Sequence, residues 1–367
     1  MHPVLSILII VALVHRAYSR KSLTPLGLVA AVLTAIAHAA NPWSLPLVLL
    51  LVFYLGGTKA TKVKHDIKAH LTLSATGSHG GEGSRTHIQV LANSIVATVL
   101  SVLHAYTLRK GDADTAAGAI AQCFSNGHHA ADLLVVGIVA NYAAVAADTF
   151  SSELGILSKS PPRLITSPTL RVVPPGTNGG VTATGLLAGM FGAFTIGLTT
   201  AILLPLCGSF SSTFSDRVTW IVATTVWGTF GSILDSLLGG LFQASVVDKR
   251  TGKIVEGTGG QKVLIHPHST KPSGAQNISG PSGMPGAHLR KTEAVANTAT
   301  LKGTRATGTS AATTSGEERR HESRRVESGF DVLDNNAVNV LMALIMSVGA
   351  MGVASYAWNL SIWDALA

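Results

Sequence analysis

Apolar residues fall along this chain in long, nearly unbroken blocks. Eight stand out: His2 to Val14, Pro25 to Ala40, Trp43 to Gly57, Ile88 to Leu108, Ala131 to Phe150, Val181 to Leu206, Val218 to Gln243 and Val332 to Trp358. A helix that crosses a bilayer needs about 20 mostly apolar residues, or about 17 at the short end. The blocks therefore predict an all-α protein, a polytopic membrane helix bundle of about eight transmembrane helices. The first block is short. It lacks a basic n-region and a small-residue cleavage site, so it reads as a retained anchor and not as a signal peptide. Only Asn41 and Pro42 separate the second block from the third, which predicts a tight hairpin. Residues 115–125 are also apolar and read as a re-entrant or amphipathic piece.

Composition agrees with lipid as the main solvent. Charged residues make up 13% of the chain, against about 25% in ordinary soluble domains. Hydrophobic residues reach 47% and mean hydropathy is +0.38. The net charge of +8 would by itself suggest a nucleic-acid partner, but so apolar a chain speaks against one. Two cysteines, Cys123 and Cys207, are too few for a disulfide scaffold. The apolar content excludes a mostly disordered chain.

The basic residues are sorted by loop. Of the 27 Lys and Arg, 24 lie in the loops after the first, third, fifth and seventh blocks; Arg109, Lys110 and Arg217 are the rest. The positive-inside rule then places those four loops in the cytosol and both termini on the other side. The expected location is a multi-pass integral protein of the endoplasmic reticulum or another endomembrane, with membrane lipids as its surroundings.

One loop differs in composition. From His266 to Gly316 the chain is mostly Ser, Thr, Gly, Ala and Pro, followed by a mixed-charge run to Arg325. The expected organisation is a membrane domain over 1–265, a disordered low-complexity cytosolic insert over 266–328, and a last transmembrane helix with a short tail over 329–367. Asn277-Ile278-Ser279 fits a glycosylation sequon, but on the cytosolic side it would stay unmodified.

Candidate chemistry clusters on the predicted cytosolic side. At the end of the fifth block, Asp148 and Ser152 are four residues apart and share a helix face, with Glu153 beside it. Acids at a helix end beside hydroxyls can offer oxygen ligands to Mg2+, so Asp148 and Glu153 are candidate metal ligands; helix-end polarity is the plainer reading. The next stretch carries Lys159, Arg163 and Arg171 and then the turn Gly176-Thr177-Asn178-Gly179-Gly180, which runs into the sixth block. Backbone N–H groups of such a turn, a helix N-terminus and three cations suit a phosphate or nucleotide. The turn is not a Walker motif, which needs Gly-Lys-Ser/Thr at fixed spacing. Asp235 lies well inside the seventh block, where an ionisable group usually faces a cavity; an inter-helix hydrogen bond is the alternative. Asp334 opens the eighth block as an N-cap or a site residue, and Asn335, Asn336 and Asn339 add a polar helix face. Asn93 and Gln89 form a smaller polar face that suits packing. Small residues at Gly185, Gly189, Gly192, Gly228 and Gly231 would let helices approach closely. The fourteen histidines show no metal spacing.

These motifs carry a resemblance. The stretch A-D-T-F-S-S-E-L-G from Ala147, L-S-K-S-P-P-R-L-I-T from Leu157 and V-P-P-G-T-N-G-G-V-T from Val173 resemble the signature of the transmembrane protein 19 family, integral membrane proteins of domain of unknown function 92. T-K-A-T-K from Thr58, I-Q-V-L-A-N from Ile88, G-S-I-L-D-S-L-L-G-G from Gly231 and L-D-N-N-A-V-N from Leu333 extend it over nearly the whole chain. Phe150 stands where the family often has Trp, and the insert looks longer than usual. The family's plant relatives include a plastid phytyl-phosphate kinase, and the acid and Gly-Thr-x-Gly pattern is similar to that of polyprenol kinases that use CTP. The resemblance implies phosphoryl transfer from a nucleoside triphosphate to a prenyl or other lipid phosphate, with Mg2+, at the cytosolic face. Asp148, Glu153 and Asp235 would be its catalytic acids. A transporter or scramblase, and a scaffold without catalysis, are the competing expectations.

Overall fold

The computed structural model describes residues 3–75, 80, 83–113, 123–207, 210–263 and 324–366. Each apolar block forms a helix: α1 (Pro3–Ser19), α2 (Pro25–Ala39), α3 (Leu45–Lys62), α5 (His87–Ala113), α6 (Ala131–Gly155), α7 (Ala183–Leu203), α8 (Phe210–Phe242) and α9 (Asn335–Trp358). Two short helices were not foreseen: α4 (His65–Leu71) and α10 (Ile362–Leu366). Among the described residues, α3, α5, α6, α7, α8 and α9 are long and apolar enough to cross a membrane. The helices α1 and α2 are shorter, with 17 and 15 residues. Several helices outrun their apolar blocks. Arg16, Lys59 and Lys62 sit in the last turns of α1 and α3, where long cationic side chains can reach the interface while the backbone stays helical.

The central helix is α6. It is buried on every side over most of its length and packs against α3, α5, α7, α8 and α9. A helix apolar all round belongs in a core, and its alanines let neighbours come close. A Cβ on Gly228 of α8 would stand 2.7 Å from the Ala143 carbonyl oxygen, and one on Gly192 of α7 would stand 2.6 Å from that of Ala146. The expected small-residue contacts are therefore present. Trp227 Nε1 donates to Met346 O at 3.0 Å and joins α8 to α9.

The loops after α1, α3, α6 and α8 meet at one end of the bundle, as their shared charge predicts. Thr24 N donates to Arg85 O, and Arg85 N donates to Ser22 O, each at 3.0 Å. A four-stranded sheet forms there in the order β1 (Leu73–Ser74), β5 (Ile254–Glu256), β4 (Ser245–Asp248), β6 (Arg324–Ser328). The β1–β5 pair is parallel and the other pairs are antiparallel, with Val246 opposite both Val255 and Val326. A two-stranded ladder, β2 (Arg163–Leu164) with β3 (Gly180–Val181), shapes the loop before α7. The strand β6 corrects the expected insert, whose last five residues are ordered against β4. The sequon, the rest of the insert and residues 115–122 lie outside the described residues.

The opposite end is held by covalent and polar contacts. Cys123 and Cys207, 84 residues apart, form a disulfide. Phe124 N donates to Pro205 O, and Cys207 N donates to Phe124 O. Asp132 accepts from Ser125 Oγ at 2.7 Å and from the N–H of Gly127 at 3.0 Å.

Candidate active site

The basic end opens into a cavity of about 660 Å³ between α5, α6, α8 and α9 and beneath the loop 156–182. Asp148 from α6 and Asp235 from α8 both line it, and their carboxyl groups lie within hydrogen-bonding reach of each other. Two carboxylates this close need a shared proton or a cation between them. From α9, Asn339 completes the group. With its amide turned so that nitrogen faces the acceptors, it donates to Asp235 Oδ1 and Asn335 O, each at 3.2 Å. In the other orientation its oxygen faces only acceptors, so the turned amide is the better assignment.

Glu153 also lines the cavity, but its two oxygens are taken. Lys68 Nζ lies 2.6 Å from Oε2 and Thr61 Oγ1 donates to Oε1 at 2.7 Å. Lys68 donates further to Ala60 O, and Arg85 Nη2 donates to Thr61 Oγ1. Sequence reasoning assigned Glu153 to metal and missed Lys68, Thr61 and Arg85. Their link joins α3, α4, α6 and the segment just before α5, which no local pattern announces. Among the described residues, no three His, Cys, Asp or Glu side chains are grouped to hold a metal ion. The Asp148–Asp235 pair still fits Mg2+, which commonly takes one or two carboxylates and fills its shell with water and substrate phosphate.

The Gly-rich turn lies where the sequence suggested but offers fewer donors. Thr177 N donates to Pro174 O, Asn178 N to Ser245 Oγ at 2.9 Å, and Gly180 N to Thr177 O. Its position is fixed by glycine. Gly176 and Gly179 have φ of +85° and +77°, and a Cβ on Gly179 would stand 2.7 Å from Gly240 Cα. The N-terminus of α7 is already capped by Thr182 Oγ1, which accepts from Gly185 N at 3.0 Å.

The three expected phosphate-binding cations divide. Lys159 lines the cavity and is exposed. Arg163 and Arg171 are not among the lining residues. Arg163 donates to Leu170 O, and Arg171 pairs with Glu327 of β6 at 2.7 Å. Asp334 is an N-cap, its carboxylate accepting from Ala337 N at 2.8 Å. Asn335 and Asn336 line the cavity. Ser152 donates back to Asp148 O at 3.0 Å. Gln89 and Thr86 form a reciprocal cap at the start of α5.

The family model described as "Integral membrane protein DUF92" matches residues 8–347. The chain belongs to this family of multi-pass integral membrane proteins. This DUF92 protein is 36% identical over 256 residues to "Protein PGR" of Arabidopsis thaliana, covering 68% of the chain and 83% of that relative. It is 32% identical over 197 residues to "Uncharacterized membrane protein MJ0933" of Methanocaldococcus jannaschii, covering 54% of the chain and 65% of that relative. No solved structure matches it.

Proposed function

We propose that this protein transfers a phosphoryl group from a nucleoside triphosphate to a prenyl or similar lipid monophosphate. The observation that carries the reading is the Asp148–Asp235 carboxyl pair, set at the basic end of a membrane bundle and opening on a cavity large enough for a phosphorylated ligand. An oxygen of the lipid phosphate attacks the terminal phosphorus of the nucleotide. The bond from that phosphorus to the bridging oxygen breaks, and the electron pair leaves with the nucleoside diphosphate. Such a transfer depends on positioning and charge neutralisation. Bound Mg2+ would neutralise phosphate charge. Asp148 and Asp235 would hold it, Asn339 would orient Asp235, and Lys159 and Arg85 would offer cationic contacts at the rim.

The same reading places the cavity in the cytosol, where nucleotides are. Two independent features support this: the basic loops gather around the cavity, and the disulfide lies at the other end. Disulfides persist in oxidising compartments, so the far side would be the lumen of an endomembrane. The test is to incubate the purified protein with radiolabelled CTP or ATP, Mg2+ and a panel of prenyl monophosphates, with Asp148→Asn as control. Absence of a diphosphate product from the whole panel, or an equally active control, overturns the reading.

One observation favours transport as a second reading. Polar groups are also buried toward the disulfide end: Tyr142 Oη meets His38 Nε2 at 2.7 Å, and Asn41 Nδ2 meets His104 Nδ1 at 3.0 Å. Proton flux through proteoliposomes, followed with an internal pH dye, would reveal such a path. Flux no faster than in empty vesicles rules it out.

A further inference from the structure

Two polar side chains of the cavity are almost fully buried, and one polar atom of each has no hydrogen-bond partner among the described residues. Gln243, just past α8, is 5% exposed, and its Nε2 has no hydrogen-bond partner among the described residues. Asn336, in the first turn of α9, is 4% exposed, and its Oδ1 likewise has none among the described residues. Both residues line the cavity. A buried polar atom without a partner is costly, and these two belong to residues that line the cavity, where a ligand can supply the missing bond.

The two atoms differ in kind. The Asn336 amide is fixed by its other end, because Nδ2 donates to Gly259 O at 3.0 Å. Its unmet atom is therefore an acceptor, which requires a donor on the ligand. Gln243 supplies a donor, which requires an acceptor. It stands beside the Gly-rich turn: a Cβ on Gly239 would meet Gln243 Oε1 at 3.2 Å and Asn178 Cβ at 3.8 Å. On the Asn336 side the wall is the strap Gly257–Lys262, where Gly259 and Gly260 both have positive φ, Gly260 lies against Asn335 and Asn336, and Gly259 O accepts from Asn336.

We infer that these atoms are contacts for a nucleoside phosphate, Gln243 Nε2 donating to a phosphate oxygen and Asn336 Oδ1 accepting from a hydroxyl or amine of the nucleoside. An ionised prenyl phosphate has acceptors but no donor, so it satisfies Gln243 and leaves Asn336 unmet. A nucleotide satisfies both. The inference rests on the proposed phosphoryl transfer for its ligand class and assigns two residues to the donor half of that reaction.

The test is binding to the full-length protein in detergent with Mg2+, using CTP, ATP, pyrophosphate and farnesyl monophosphate as separate probes. Gln243→Met keeps length and removes the donor. It is expected to weaken pyrophosphate and nucleotide alike, each by about tenfold. Asn336→Leu is expected to weaken nucleotide by about tenfold and leave pyrophosphate unchanged. If Asn336→Leu does not fold, Asn336→Ser takes its place. Equal loss of nucleotide and pyrophosphate in the Asn336 variant, or unchanged nucleotide affinity in both variants, overturns the inference, as does a wild type that binds farnesyl monophosphate but no nucleotide. Catalysis is not needed for this readout. The expected pattern without diphosphate formation would sink the transfer reading alone; transfer with unchanged variant affinities would sink this one alone.

Discussion

Lys68 of α4 and Glu153 of α6 meet at 2.6 Å, with side-chain exposures of 8% and 14%. A pair this buried is weak evidence of net stabilisation, but removing one member leaves an uncompensated charge. Lys68→Met is expected to cost about 3–5 kcal/mol, and the double variant Lys68→Met with Glu153→Leu to recover most of it. Unfolding midpoints of the purified variants check this. If Glu153→Gln leaves the midpoint unchanged and abolishes activity, Glu153 is catalytic and the structural role is wrong.

The Asp148–Asp235 pair predicts a shared loss. Asp148→Asn and Asp235→Asn should each lower the transfer rate by about 100-fold or more, and the double variant should be little worse than either single one. Adding EDTA should bring the wild type to the same floor. Rate measurements in which the two losses multiply would separate the two carboxyls into independent roles.

The Gly-rich turn predicts a graded pair of substitutions. As a reference, Gly252 in the turn between β4 and β5 has φ of +68° and open space around it, so Gly252→Ala carries only the left-handed penalty of about 1–2 kcal/mol. Gly179→Ala adds a collision with Gly240 Cα and should destabilise clearly more. Thermal melts of the two variants compare them directly. Equal melts would show that the turn moves off α8 without cost.

The disulfide makes a prediction about both stability and sidedness. Replacing Cys123 and Cys207 by Ser should cost about 2–5 kcal/mol. In sealed, oriented microsomes the two thiols should be protected from a membrane-impermeant reductant and maleimide applied to the cytosolic face. Cytosolic labelling of Cys123 would reverse the orientation.

The bundle was legible because apolar blocks report lipid directly. All eight blocks became helices, and the small residues Gly192 and Gly228 mark where backbones touch. The sheet was not legible, since strands of two to five residues are too short to show alternation. The site was half legible. Asp148 and Asp235 stood out as acids inside apolar blocks, and lipid burial makes such residues conspicuous. For Glu153, Arg163 and Arg171, charge alone did not say whether a partner is already present. Lys68 and Glu327 supply partners from distant segments, and Leu170 supplies one from seven residues away. Gln243 was missed because an amide at the end of an apolar block carries no signal of its burial.

The pairing of β4 with β6 sets two points of the chain side by side, Val246 opposite Val326. α9 is further held by α5, α6 and α8. Two polypeptides, one ending after β5 and one beginning at β6, therefore have contacts through which to reassemble as a split protein. Co-expression of residues 1–263 with residues 324–367 and purification through a tag on the shorter piece would show it. Failure of the longer piece to follow would mean that chain continuity is needed to deliver α9.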